Sequence, residues 1–238
     1  MLAKERLIVA LDVDTKDKAL ELAAKLRDRV GIFKIGLELF SSCGPEIVRD
    51  IRKTGARVFL DLKFHDIPNT AAKAAASVTK LGVFMLNVHA LGGYDMMKKC
   101  AESVRAEASK LKIEKPLLIA VTILTSMDEN SLKKAGLNDN MESQVLRLSL
   151  LAKDAGLDGV VASPSEVKSI RERTGEDFLI VTPGVRPLWA AADDQKRFRT
   201  PEEAIKSGAD YIVVGRPITG AADPVEAARK VLEEMGTK

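Results

Sequence analysis

The stretch RVFLDLKFHDIPNT, residues 57–70, combines the pattern of a buried strand with charged side chains at the end of that strand. Arg57–Leu62 is a nearly continuous apolar run, which is typical of a parallel strand covered on both faces. Because side chains alternate along a strand, Phe59, Asp61 and Lys63 are predicted to share one face. A polar loop that contains Asp66 follows, and Pro68 restricts its course.

Seven further runs of the same kind recur along the chain, with segments of helical periodicity between them. One such segment carries an apolar stripe of Ala19, Leu22, Ala23 and Leu26. The other predicted strands are Leu7–Leu11, Ile32–Ile35, Val83–Val88, Leu117–Val121, Gly159–Ala162, Phe178–Val181 and Tyr211–Val214. Eight successive strand-then-helix units predict a (β/α)8 barrel, with residues 1–238 forming a single domain.

An open, doubly wound sheet is the alternative, and the ends of the strands separate the two folds. In an open sheet the ligand-binding groups cluster where the strand order reverses, whereas all eight carboxyl ends of a barrel face one mouth. Nearly every predicted strand here ends in polar residues or glycine, which favours the barrel. These residues are Asp12, Lys34, Asp61, Lys63, Asn87, His89, Thr122, Thr125, Ser163, Thr182, Gly184, Gly215 and Arg216.

The composition is that of a globular protein and excludes several functional classes. Of 238 residues, 46% are hydrophobic and 30% are charged, which excludes a disordered chain. The net charge of +3 is small, and only 4% of the residues are aromatic, so a nucleic-acid surface built on stacking is not expected. A slight excess of Lys and Arg is compatible with a small anionic substrate.

Cysteine usage and the N-terminus indicate a cytoplasmic protein. The two cysteines, Cys43 and Cys100, do not form a disulfide framework. The apolar run before Asp12 is too short for a signal peptide or a membrane span. Two histidines and two cysteines without ligand spacing argue against a His/Cys metal site, so neither a metal nor a cofactor is expected.

Four charges are predicted to meet at the mouth of the barrel. Asp12 ends the first strand, Lys34 the second, and Asp61 and Lys63 the third, and these strands are neighbours in a barrel. A salt bridge that plugs the barrel would also explain such a group. Buried ion pairs contribute little net stability, however, whereas alternating charges provide a preorganised field and a proton donor. We therefore interpret the group as catalytic.

The loops after the last two strands predict a phosphate site. VTPGVR, residues 181–186, follows the seventh strand, and VVGRPITG, residues 213–220, follows the eighth. Phosphate sites in barrels are commonly built from these two loops. Gly215 allows close approach of a backbone N–H, and Arg216 suits an oxyanion. The long polar segment 187–200 between them is either a lid or a surface excursion.

Together these motifs resemble the orotidine 5′-phosphate decarboxylase family. The similarity rests on DLKFHDIPNT at residues 61–70 and extends, in order, over nearly the whole chain. It includes ALDV at 10–13, FKIG at 33–36, NVHA at 87–90, VTILTSM at 121–127, VTPGVRP at 181–187 and VVGRPIT at 213–219. Asp194-Gln195 matches a family dipeptide that a glycine often precedes, whereas Asp193 precedes it here.

The resemblance implies a role for each matching residue in converting orotidine 5′-monophosphate to uridine 5′-monophosphate. Lys63 would protonate C6 of the pyrimidine, and Asp61 would lie beside the departing carboxylate. Asp66 and Thr70 would reach the site of a partner subunit, so that a homodimer completes a Lys-Asp-Lys-Asp array. The remaining implied contacts are Lys34 and Asp12 to the ribose, Thr125 to the pyrimidine edge, Gln195 to base and phosphate, Arg186 to the closed loop, and Gly215 and Arg216 to the phosphate.

Three other functions remain open from the residues alone. Related sugar-phosphate decarboxylases share the Asp-x-Lys-x-x-Asp pattern of Asp61, Lys63 and Asp66 but use a divalent metal. A non-decarboxylating isomerase and a catalytically silent phosphate binder would also use the two phosphate loops. Metal dependence separates the first of these from a metal-free decarboxylase, and the charged array has no evident purpose in the silent binder.

Overall fold

The computed structural model describes residues 2–137, 140–190 and 199–236, and its centre is a closed barrel of parallel strands. The strands follow one another around the barrel in chain order, and the first pairs with the last through Leu7 and Ile212. The predicted (β/α)8, or TIM, barrel is therefore confirmed, and the open sheet is excluded.

The apolar runs located the strands to within two residues at every end. The predicted and observed bounds coincide for two strands, Leu117–Val121 and Tyr211–Val214. The strands β1–β8 are Leu7–Ala10, Ile32–Gly36, Arg57–Phe64, Met85–His89, Leu117–Val121, Gly159–Val161, Leu179–Thr182 and Tyr211–Val214.

Helices connect consecutive strands and cover the outside of the barrel. In the described part of the chain, α1–α12 are Ala3–Arg6, Lys16–Leu26, Leu37–Cys43, Glu46–Lys53, Pro68–Thr79, Tyr94–Leu111, Glu129–Lys134, Met141–Asp154, Val167–Thr174, Pro201–Lys206, Arg216–Thr219 and Pro224–Glu234. Two 3₁₀ turns, Ala90–Gly92 and Leu188–Ala190, complete the connections. None of the described helices combines the length and the apolar character that a membrane crossing requires.

Two apolar layers lie on opposite faces of the strands. The larger one, which includes Leu26, Phe33 and Ile51, packs between the strands and the helices. The smaller one fills the interior of the barrel, and its members are Ile8, Ala10, Ile32, Phe59, Met85, Ile119, Val181, Tyr211 and Val213. Because side chains alternate, the next inward position on each strand lies closer to the mouth.

That alternation brings polar residues to the mouth directly above the apolar interior. Two positions after Ala10, Ile32, Phe59 and Met85 stand four polar residues. These are Asp12, Lys34, Asp61 and Asn87. The barrel interior thus changes from apolar to charged within one layer of side chains.

Candidate active site

The four predicted charges form a continuous row across the ends of β1, β2 and β3. Lys34 Nζ lies 3.1 Å from Asp12 Oδ1 and 3.3 Å from Asp61 Oδ2. Lys63 Nζ lies 2.7 Å from Asp61 Oδ1. The signs alternate along the row, so each ammonium has a carboxylate neighbour. Predicted from strand order alone, this grouping is confirmed.

Lys63 reaches the row by a local distortion of β3 and not by regular alternation. Its φ is 51°, in the left-handed region that side chains other than glycine seldom adopt. The pairing of β3 with β4 shifts between Leu60 and Phe64, as in a β-bulge. The prediction that Asp61 and Lys63 both face the mouth is confirmed, but the regular alternation on which it was based does not hold at Lys63.

Asp61 is the most enclosed member of the row, with 9% of the residue exposed. Burial acts to raise the pKa of its carboxyl, but the charges of Lys34 and Lys63 act in the opposite direction. Hydrogen bonds from Lys63 and Asn87 add to that effect, and the resulting pKa is below the usual value of 3.8. Asp61 is therefore ionised at neutral pH, and it holds both ammonium groups in place.

A cavity of about 620 Å³ opens above the row. Its lining extends from the row to residues that follow β7 and β8, and its volume is in the range of pockets that bind small molecules. Eight predicted site residues line it: Asp12, Lys34, Asp61, Lys63, Thr125, Arg186, Gly215 and Arg216. Apolar side chains, among them Phe59, Val161 and Val213, form much of the remaining wall.

Two arginines also line the cavity. Arg186 follows β7 and Arg216 follows β8, and neither forms an ion pair with the residues that the structure describes. The turn before Arg186 contains Gly184 at φ 75°, a conformation that favours glycine. Two guanidinium groups and a glycine-containing turn at these strands agree with the predicted phosphate site.

The described residues at and after Arg186 contact Arg199 and α12. The Arg186 N–H donates to the carbonyl of Arg199 at 3.0 Å. At the other contact, the Leu188 N–H donates to Glu234 of α12 at 3.4 Å, and Lys230 lies 5.7 Å from the ring centre of Trp189. Gln195, expected to contact base and phosphate, lies outside the described residues.

Two further predicted residues lie away from this cavity. Asp66 and Thr70 are exposed, on the loop after β3 and in the first turn of α5. Asp66 Oδ1 accepts a hydrogen bond from the N–H of Ile67 at 2.6 Å. No described cation pairs with Asp66, so the expectation that it acts at another subunit's site stays a prediction.

Two buried polar residues of β4 were not assigned roles from the sequence. Asn87 contacts both Asp61 and Lys63, and His89 stacks on His65 with ring centres 5.4 Å apart. Burial, and then the nearby His65 and Lys63, lower the pKa of His89 to about 4. The NVHA motif was the available signal, but its alternation could not show which groups the side chains meet.

Among the residues that the structure describes, no group of three or more His, Cys, Asp or Glu side chains is arranged to hold a metal ion. The row of two lysines and two aspartates is instead balanced by its own charges. Lys63 and Lys34 beside ionised Asp61 can supply proton transfer and electrostatic stabilisation.

Comparison with known proteins identifies the family of this chain and agrees with its fold. The model of the orotidine 5′-phosphate decarboxylase / HUMPS family matches residues 5–231. The chain belongs to this family. An orotidine 5′-phosphate decarboxylase from Syntrophotalea carbinolica is 55% identical over 98% of this chain and 96% of the relative, and one from Syntrophomonas wolfei is 51% identical over 99% of both chains.

A solved structure of an orotidine 5′-phosphate decarboxylase has the same fold as this chain. The crystal structure of the enzyme from Lactobacillus acidophilus matches with a TM-score of 0.87 and 40% identity, over 98% of this chain and all of that chain. The family model also covers the HUMPS branch, whereas these three relatives carry the decarboxylase name.

We predict that His89 contributes to the acid sensitivity of the fold. In the unfolded chain this imidazole takes up a proton near pH 6.5, whereas in the folded chain it stays neutral until about pH 4. Stability from this group is therefore complete above pH 6.5 and is lost as the pH falls towards 4. In His89→Asn, the loss of unfolding free energy between pH 7 and pH 5 should shrink by about 2 kcal/mol.

Urea unfolding of both proteins at the two pH values measures this difference. Carboxylates titrate alike in the two proteins, so the difference between them isolates His89. Equal pH slopes for the wild type and for His89→Asn would show that His89 is protonated alike in the folded and unfolded chains.

Proposed function

We propose that this protein decarboxylates orotidine 5′-monophosphate to uridine 5′-monophosphate, with Lys63 as the proton donor. The observation that carries the proposal is that the row Asp12-Lys34-Asp61-Lys63 lines the same cavity as Arg186 and Arg216. The names of the relatives support this substrate.

Lys63 acts on the carbon that loses the carboxylate. The bond between C6 and the carboxyl carbon breaks, CO₂ leaves, and the electron pair stays on C6 in the plane of the ring. The π-system cannot delocalise this pair, so stabilisation comes from the field of a fixed ammonium. Lys63 then transfers a proton from Nζ to C6. Asp61, ionised at neutral pH, orients Lys63 for this step.

The other residues bind and orient the substrate. Lys34 and Asp12 contact the ribose hydroxyls, and Thr125 contacts the edge of the pyrimidine. Gly215 and Arg216 bind the phosphate, Gln195 contacts base and phosphate, and Arg186 helps to hold the closed loop. Because the phosphate is remote from C6, its binding energy can order the site around the reacting carbon. The location of all but Gln195 around one cavity supports these roles.

We also propose that a homodimer completes each site with Asp66 and Thr70 of the partner subunit. Exposed apolar side chains follow four consecutive strands at the same rim of the barrel: Leu37, Ile67, Leu91 and Leu124. Such a rim is typical of a protein interface, and Asp66 lies directly beside Ile67. A two-fold interface would bring the exposed Asp66 of each subunit to the other.

The proposal includes a cytoplasmic protein whose residues 1–238 form one catalytic domain. Both cysteines are free thiols, and Cys100 is buried, where burial raises its pKa to about 11. An inert buried thiol suits a reducing compartment. Closure of the barrel between β1 and β8 favours a single folding unit, because the two ends of the chain meet in one sheet.

We predict that Lys63→Ala does not decarboxylate orotidylate, as measured by the decrease in orotidylate absorbance. We also predict that the wild type keeps its activity after exhaustive EDTA treatment. Removal of the proposed proton donor to C6 should lower kcat by more than about 10⁴-fold, since it removes both acid catalysis and field stabilisation. Lys168→Ala is the control, because Lys168 is exposed on α9 and lies outside the cavity. Retention of a tenth of the activity would contradict the role of Lys63.

The EDTA experiment distinguishes between the two branches of the family. Activity that disappears in EDTA and returns with Mg²⁺ would favour a metal-dependent sugar-phosphate decarboxylase. Activity that persists, together with turnover of orotidylate, would support the proposed reaction.

We predict that Arg216→Ala lowers kcat/KM for orotidylate by a factor equivalent to about 2–4 kcal/mol. The same variant should behave almost like the wild type towards orotidine, which lacks the phosphate. Steady-state kinetics with the two substrates measure the difference. If both substrates lose the same factor, Arg216 does not contact the phosphate.

We predict that mixing inactive Lys63→Ala and Asp66→Ala dimers restores activity. In a mixed dimer one site collects both lesions, and the other receives an intact Lys63 and an intact Asp66. Random exchange makes about half of the dimers mixed, so about a quarter of all sites should recover. The recovery should rise with time and should not occur in dimers that are cross-linked beforehand. If mass spectrometry shows exchange but no activity returns, Asp66 does not act in the partner's site.

A further inference from the structure

Asn87 is a fully buried amide at the end of β4 that contacts two members of the charged row. Only 1% of the residue is exposed. Its Oδ1 accepts a hydrogen bond from the backbone N–H of Lys63 at 2.8 Å, and its Nδ2 donates to Asp61 Oδ1 at 2.7 Å. Both functional groups of one side chain are therefore directed at the row.

The hydrogen bond from the Lys63 N–H to Asn87 stands where a regular β-sheet would provide a backbone acceptor. β3 pairs with β4 at Leu60 with Leu86 and at Phe64 with Val88, so β3 advances four residues while β4 advances two. The extra residues of β3 leave the regular ladder, as in a bulge. A buried N–H without an acceptor is unfavourable, and the Asn87 side chain satisfies the N–H of Lys63.

This bond also supports the unusual backbone of Lys63. At φ 51° a lysine is in a strained conformation that persists only where its surroundings hold it. The Asn87 acceptor fixes the peptide from which the side chain of Lys63 departs. The same conformation allows Nζ to return to Asp61, only two residues earlier in the chain.

The second bond of Asn87 orients the carboxylate that holds Lys63. Asp61 Oδ1 accepts hydrogen bonds from Asn87 Nδ2 and from Lys63 Nζ, both at 2.7 Å, while Oδ2 faces Lys34. An amide donates this hydrogen bond without adding a charge, so the balance of the row is unchanged. A carboxylate in its place would repel Asp61, and an ammonium would compete with Lys63.

We propose that Asn87 is the positioning residue that fixes Lys63 and Asp61 relative to each other and so directs Nζ at the reacting carbon. This inference rests on the proposed function, since the reacting carbon is C6 of the substrate. Asn87 itself does not line the cavity, so it acts through the two residues that it holds.

Two variants separate the two bonds of Asn87. Asn87→Leu has a similar volume but removes both bonds. Asn87→Asp keeps an acceptor for the Lys63 N–H but replaces the donor to Asp61 with a carboxylate. That carboxyl becomes a donor again when it is protonated, and its pKa should be raised because Asp61 carries the same charge. The other charged or titratable groups nearby are Asp12 on the loop after β1, Lys34 on β2, Lys63 and His65 at and after the end of β3, and His89 on β4.

In Asn87→Leu, kcat for orotidylate should fall about 100-fold, the effect of a misplaced reacting group, while KM changes less than about threefold. For Asn87→Asp, the ratio of its kcat to that of the wild type should rise as the pH is lowered from 8 to 6. For Asn87→Leu the same ratio should stay constant. Ser149→Ala is the matched control and should leave kcat unchanged, since Ser149 is a buried polar residue of α8 whose hydroxyl donates to the carbonyl of Val145, outside the cavity.

A role in stability alone would give a different result. Unchanged kcat in both variants, or ratios that do not differ in their pH dependence, would overturn the inference. If Asn87→Leu does not fold, the pH dependence of Asn87→Asp decides the question.

If the wild type does not decarboxylate orotidylate, the proposed function fails, and a ¹³C NMR titration of the Asp61 carboxyl tests Asn87 independently. The signal is assigned with Asp61→Asn. Loss of the Asn87 donor should raise the pKa of Asp61, and an unchanged pKa would contradict the inference.

Discussion

A single carboxylate, that of Asp61, is shared between two ammonium groups, and the geometry of the whole site depends on it. Its two oxygens face Lys63 and Lys34, each on a different strand, and it is largely withdrawn from water. Removing charges from water is unfavourable unless they are paired, and here the signs alternate across three neighbouring strands. The barrel makes that pairing possible because it brings the carboxyl ends of consecutive strands to one rim.

The fold and most of the cavity could be predicted because both follow from simple periodicities. Buried parallel strands leave nearly continuous apolar runs, and strand order in a barrel follows chain order. From these two regularities, residues as distant in the chain as Lys34 and Arg216 were expected at one cavity, and both line it. An anion site in the loops after β7 and β8 could be predicted in the same way, since glycine and arginine at these positions suit an anion.

The remaining features could not be predicted from the sequence. They depend on local departures from periodicity or on groups that would belong to a second subunit. The left-handed Lys63 and the two extra residues of β3 cannot be inferred from alternation, because alternation assumes the regular strand that they interrupt. Asn87 shows the same limit: an amide at a strand end predicts a polar contact but not which two partners it binds. Asp66 faces solvent, and its partner would belong to a second subunit.

The bulge in β3 also limits how this chemistry can be transplanted by design. An Asp-x-Lys pair written onto a regular strand of another barrel would lack the backbone that turns Lys63 back towards Asp61. A successful graft would need three parts together: the two additional residues in the strand, an amide on one adjacent strand to accept a hydrogen bond from the displaced N–H, and a second lysine on the other adjacent strand. The transferable unit is therefore a patch of three strands and not a short motif.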